Sequence, residues 1–133
     1  MIFLDTNFII AYSVKRHDNN SRAEEIWKDI ENEDKAISKV VFVEVFNVLN
    51  VQLKENIELS NKVRDFILDK LLILNDHKYH DKAFKLMSEF YHDSKRVQFA
   101  DCVYIALMKE LGIKQIATFD NHFNSVEGIE RIH

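Results

Sequence analysis

Glycine, proline and cysteine are scarce in this chain, and each shortage closes off a class of function. The 133 residues include two glycines, no proline and one cysteine. Gly112 and Gly128 lie too far apart for a P-loop or a GxGxxG dinucleotide fingerprint, which need glycines within one turn. Cys102 alone excludes an internal disulfide and any CxxC metal site, which fits a reducing compartment. No GxSxG nucleophile elbow occurs. Positive charge is short as well. Against 18 Lys+Arg stand 22 Asp+Glu, a net charge of −4. A protein that holds nucleic acid by bulk charge is normally basic, so a nucleic-acid role here needs a local patch or a metal. The opening MIFLDTNF carries an acid at position five and no basic n-region, and no apolar run reaches transmembrane length. Neither a signal peptide nor a membrane span is expected, and the expected location is the cytoplasm.

What is present suits a globular protein: 47% of residues are hydrophobic and 30% charged. Residues 1–133 read as one domain, long enough to bury roughly two thirds of its unfolded surface. Short apolar runs alternate with helical patterns. Strands are expected at Ile2–Leu4, Ala36–Ser38, Leu71–Leu74, Ile113–Phe119 and Ile129–Ile132. Helices are expected over Phe8–Val14, Val40–Leu53, Leu59–Lys70, Asp81–Tyr91 and Val97–Leu111, the last stopped by Gly112. One more is expected to start at the S-x-x-E capping box Ser21–Glu24, before Ile26, Trp27 and Ile30. This alternation points to an α/β fold with a mostly parallel sheet.

Four acids stand out by context. Asp5 ends the run MIFL and Asp120 ends IATF. Ligands of open α/β sheets bind at the carboxyl ends of strands, although aspartate there also serves as a turn residue or helix cap. Glu44 is the only charge between Val40 and Val51, and Asp101 the only one between Val97 and Met108. Neither has a cation three or four positions away. A carboxylate on such an apolar helix loses hydration with no local partner, unless it snorkels or pairs at a distance. One shared divalent cation would account for all four acids, and their hard oxygen donors suit Mg²⁺ or Mn²⁺. Such an ion activates water and neutralises charge at a phosphate.

Other features carry less. His77 and His80 fall short of the three or four ligands zinc takes. Lys15, Arg16 and His17, and likewise Lys95 and Arg96, read as solvated surface loops. Phe42, Phe46, Phe66 and Phe90 read as core, Trp27 as core or interface, and Cys102 as a small buried filler.

The motifs Phe3-Leu4-Asp5-Thr6-Asn7, Val43-Glu44-Val45, Phe99-Ala100-Asp101 and Thr118-Phe119-Asp120, in that order, resemble those of the PIN-domain nucleases. More narrowly, the chain is similar to the VapC-type toxins of toxin–antitoxin pairs. The resemblance implies a PIN-like three-layer sandwich with a parallel sheet of four or five short strands between helices. It implies that Asp5, Glu44, Asp101 and Asp120 hold Mg²⁺ or Mn²⁺ directly or through water. Thr6, Asn7 and Thr118 match supporting positions, and His122 lies where some relatives carry another acid. The activity implied is endoribonuclease, with an RNA substrate, an antitoxin partner and a homodimer as associations. Three alternatives stay open: a PIN nuclease of RNA processing or decay with no antitoxin, a non-catalytic PIN-like binding module, and a phosphatase-type domain built on Asp5. Asn7 counts against the last, since such phosphatases usually carry a second acid at that position.

Overall fold

The computed structural model describes residues 1–133, in which five strands and six α-helices alternate. The strands are β1 (Ile2–Leu4), β2 (Lys35–Ser38), β3 (Leu72–Leu74), β4 (Gln115–Ala117) and β5 (Glu130–Ile132). They form one sheet in the order β3-β2-β1-β4-β5, with every neighbouring pair parallel. Parallel strands cannot be joined by a hairpin. The first four strands are therefore linked through helices, and β4 reaches β5 through a 3₁₀ turn, Asn121–Ser125. The flanking helices are α1 (Thr6–Ser13), α2 (Asn20–Asp29), α3 (Lys39–Asn47), α4 (Ile57–Lys70), α5 (His80–His92) and α6 (Phe99–Leu111). None is long and apolar enough to cross a membrane.

Topology positions the site. The chain moves outward from β1 to β2 to β3, then returns to lay β4 on the other side of β1. Phe3 of β1 thus lies between Ala36 of β2 and Ile116 of β4. At such a reversal the connections leave in opposite directions and open a crevice at the carboxyl ends of the two strands. Asp5 follows β1 there, and Thr118 follows β4. A single cluster of 33 buried apolar residues supports the sheet. Helix α6 is buried continuously from Asp101 to Met108, which explains a run apolar on all sides rather than along one stripe. Gly112 ends that helix in the left-handed conformation, φ 69°, as expected.

Several boundaries differ from the sequence expectation, for identifiable reasons. Helix α1 starts at Thr6, two residues early, because the Asp5 side chain accepts from the Thr6 amide and caps it. The proposed Ser21–Glu24 capping box does not form. Asn20 is buried and donates to the carbonyls of Ala11 and Tyr12 at 2.9 and 3.2 Å, which sets the start of α2 one residue earlier and leaves Ser21 inside its first turn. The expected Val40–Leu53 helix ends its α-helical part at Asn47. Val48–Gln52 then forms a wider π-turn, with Leu53 N bonded to Val48 O at 2.9 Å. Strand β4 is confined to three residues, since Thr118 and Phe119 turn to the site. The four phenylalanines are half-buried against the core, and Trp27 packs tilted against Tyr12 and edge-on to Phe66, with ring centroids 5.0 and 5.1 Å apart.

Lys35 is an unusual anchor. It is 5% exposed, yet it opens β2. Its ammonium donates to the carbonyls of Ile30, Glu31 and Glu33 at 2.8, 3.0 and 2.6 Å, and lies 4.7 Å from the Trp27 ring centroid. It thereby gathers the carbonyls of the turn that follows α2. Lys35→Met keeps the stem and removes the donors, and is expected to cost about 2 kcal/mol of stability. A urea melt measures it; a loss too small to resolve would mean water replaces the ammonium without penalty.

Candidate metal centre and active site

The four acids reach one place from four elements. Asp5 caps α1 at the end of β1. Glu44 lies on α3, which the Ser38 side chain caps by accepting from Val41 N at 3.2 Å. Asp101 occupies the first turn of α6, where the helix dipole favours a negative charge. Asp120 caps the 3₁₀ turn after β4, accepting from His122 N at 3.1 Å. Together they line a single cleft of about 320 Å³ whose wall contains no lysine or arginine.

The supporting residues are hydrogen-bonded to these acids. Thr118 Oγ1 donates to Asp5 Oδ2 at 2.7 Å and accepts from the Asp120 amide at 3.1 Å, so one hydroxyl ties two acids. Asn7 Nδ2 donates to Asp5 Oδ2 at 3.1 Å, while its Oδ1 accepts from Phe119 N at 3.0 Å. The Thr6 amide donates to Asp5 Oδ1 at 2.7 Å and its hydroxyl to Glu44 Oε2 at 2.8 Å. Each of Thr6, Asn7 and Thr118 therefore orients a carboxylate. The His77/His80 pair does not gather a metal-binding group. His80 Nε2 lies 3.2 Å from Asp76 Oδ1, and Asp76 itself accepts from Val40 N at the start of α3.

Two residues take places in the site that the sequence reading did not assign them. Tyr104 donates its phenol hydrogen to Glu44 Oε2 at 2.7 Å. Burial and this carboxylate push the Tyr104 hydroxyl strongly upward in pKa, so it remains a donor. The available signal was its place one helical turn after Asp101. His122 lies between two acids, with Nδ1 2.7 Å from Asp120 Oδ1 and Nε2 3.3 Å from Asp101 Oδ2. Nε2 is buried without a hydrogen-bond partner, so the approach to Asp101 is a close contact rather than an aligned hydrogen bond. One ligand atom from each of Asp101, Asp120 and His122 lies within 4.8 Å of the others. Cys102 is fully buried and burial raises its thiol to about 11, consistent with an inert filler.

The cleft is electrostatically costly. Burial raises Asp5 from 3.8 to about 6, against the lowering effect of its bonds to Thr118 and Thr6, and the charges of Glu44 and Asp120 raise it further. Burial likewise raises Asp101 from 3.8 to about 7. The charges of Asp5, Asp120 and Glu44 add to that rise, and His122 opposes it. Four carboxylates with no lysine or arginine among them, offering hard oxygen donors, fit a divalent ion of the Mg²⁺ or Mn²⁺ type.

Comparison with known proteins finds relatives of this fold. The PIN domain family model matches residues 2–129. Mycobacterium tuberculosis VapC20, a sarcin-ricin-loop-cleaving toxin, shares the fold with a TM-score of 0.82 at 20% identity, over 94% of each chain. VapBC2 of Rickettsia felis, solved with a DNA fragment from its promoter, has a TM-score of 0.72 at 19% identity over 99% of this chain and 98% of that one. FitAcB of Neisseria gonorrhoeae has a TM-score of 0.70 at 19% identity over 100% and 97%. No curated protein matches the chain.

The raised carboxyls fix a pH dependence. Folded values of about 6 and 7 against 3.8 mean that the folded state binds these protons more tightly than the unfolded chain. The stability they contribute is complete below 3.8 and is lost as pH rises through 6 and then 7. In chelator, the melting temperature is expected to fall from pH 5 to pH 8, and the fall to shrink in Asp101→Asn. A flat profile, or an equal fall in the variant, would show that Asp101 does not carry this charge.

Proposed function

Because the chain belongs to the PIN-domain family, we propose that residues 1–133 form one PIN domain that acts in the cytoplasm as a metal-dependent endoribonuclease, the toxin of a type II toxin–antitoxin pair. The observation that carries this reading is the cleft itself, where four carboxylates converge at the sheet's switch point without a lysine or arginine. A binding module has no use for so much uncompensated charge. The VapC-like fold and the toxin–antitoxin relatives support the toxin role.

Asp5, Glu44, Asp101 and Asp120 would hold the ion. When bound, Mg²⁺ or Mn²⁺ supplies Lewis acidity and charge neutralisation at the scissile phosphate. The chain's own residues fix the shape of that holder. Thr118, Asn7 and the Thr6 amide lock both oxygens of Asp5, while the Thr6 hydroxyl and Tyr104 share one oxygen of Glu44. His122 sits between Asp101 and Asp120, with a ring nitrogen 3.3 Å from one carboxylate and 2.7 Å from the other. Hydrolysis adds water across the P–O3′ bond, leaving a 5′-phosphate and a 3′-hydroxyl. The 2′-OH is not the nucleophile, so preference for RNA comes from shape and 2′-OH contacts.

Control follows from the same charge. A partner arginine is well suited to the carboxylates, since it stays charged and bonds them in pairs. The antitoxin is proposed to insert one there through its C-terminal segment, and the toxin to be a homodimer. Co-expression with the neighbouring upstream reading frame tests the partner. The pair is expected to co-purify, and replacing the partner's C-terminal arginines to relieve inhibition; no co-purification, or undiminished inhibition, would reject this control.

The activity is tested by Asp101→Asn, which should abolish RNA cleavage while retaining the fold. Thr118→Val removes the hydroxyl that ties Asp5 to Asp120 and is expected to cost roughly 10–100-fold in activity. Full cleavage by Asp101→Asn, in the presence of Mn²⁺, would reject the proposed chemistry.

A further inference from the structure

A second cavity, of about 410 Å³, adjoins the acid cleft and shares Gln98, Asp101 and Asp120 with it. Its character is different. Phe90, Val97 and Val126 give it apolar walls, and Lys95 and Arg96 stand at its rim. Both basic side chains belong to exposed residues and neither forms an ion pair. The other short basic loop is unlike this: Lys15 is paired with Glu24 at 2.6 Å and Arg16 with Glu55 at 2.6 Å.

Local structure holds the two unpaired cations in place. Helix α5 closes through Ser94, a residue other than glycine in the left-handed conformation, φ 62°. Its amide bonds Tyr91 O at 3.0 Å, and the next amide, of Lys95, bonds Phe90 O at 2.8 Å. A left-handed serine costs backbone energy, and the turn it makes is followed directly by Lys95 and Arg96, which line this cavity and its neighbour beside Tyr91. The Arg96 guanidinium lies 4.7 Å from the Tyr91 ring centroid. That partner restrains the side chain while leaving its charge free for an anion.

We propose that this rim and cavity form a subsite for the RNA strand beside the scissile bond, with Lys95 and Arg96 on backbone phosphates and the adjoining nucleoside in the cavity. The inference rests on the nuclease reading and extends it, since a chain with net charge −4 holds nucleic acid through local features, and this basic rim would add a patch beside the ion site. The volume lies in the range of small-ligand sites. The shared wall of Gln98, Asp101 and Asp120 makes the two cavities one path, acidic where the ion would bind and basic where the strand continues.

The test measures fluorescence anisotropy of a labelled single-stranded RNA of about ten nucleotides with full-length Asp101→Asn protein, across a salt series in Mn²⁺ buffer. Adding Lys95→Gln and Arg96→Gln is expected to weaken binding roughly 10-fold at low salt. It should also reduce the slope of log affinity against log salt by at least about 0.7, the value of one single-strand phosphate contact. Arg96→Lys keeps the charge and should keep the slope. Unchanged affinity, a weaker affinity with unchanged slope, or no RNA binding by the Asp101→Asn protein would each overturn the subsite. So would intact RNA binding with lost binding of an acidic peptide, which would assign the rim to a protein partner. Cleavage by the unaltered protein is read on the same RNA. Its absence, with the binding effects intact, would reject the nuclease and leave the subsite; its presence, with unchanged binding by the rim variant, would do the reverse.

Discussion

Asp5 is 5% exposed, and the fold surrounds it with neutral donors rather than with a cation. Thr118, Asn7 and the Thr6 amide orient the carboxylate, yet they do not fully replace its lost hydration, and its proton is held to about 6. Each unit of that rise corresponds to about 1.4 kcal/mol against the charged folded form. The same donors bind the first strand to the segment after the fourth, across 113 positions of sequence. The arrangement that joins the two halves of the sheet is thus also the arrangement that strains the site.

The core prevents this strain from relaxing. Asp101 cannot swing its backbone away from Asp5, because α6 is buried from that residue to Met108. Tyr104, one turn further along the same helix, holds Glu44 by its hydroxyl. Repulsion among the acids is therefore borne by packing in a cluster of 33 apolar residues. The carboxylates of Asp5, Glu44 and Asp120 are already oriented by hydrogen bonds, so a cation entering the cleft would need little ordering of them.

Much of the fold and the acid set was legible in the sequence because their signals are local. Apolar runs ending in Asp5 and Asp120 mark strand ends, and the isolation of Glu44 and Asp101 on apolar helices is visible within a few positions. The site's other contacts are tertiary. Tyr104 meets Glu44 across 60 positions, and nothing near His122 in sequence indicates that α6 will bring Asp101 to its ring. Local patterns also misled where distant contacts prevailed: the capping box at Ser21 yielded to Asn20, whose side chain binds the end of α1. The two basic loops look alike as sequence. Only the structure separates Lys15 and Arg16, which are neutralised by glutamates, from Lys95 and Arg96, which are not.

The strand order also governs when the site can exist. During synthesis Asp5 emerges first, at about 5–20 residues per second, while β4, Thr118 and Asp120 come last of all the site's elements. Until β4 arrives, β1 has β2 on one side and an open edge on the other. Contacts this distant in sequence form slowly, because loop closure precedes the gain from pairing. The growing chain therefore carries Asp5, Glu44 and then Asp101 without the hydroxyl and the fourth acid that complete their arrangement. The cleft is complete only once the segment carrying Thr118 and Asp120 has joined the sheet beside β1.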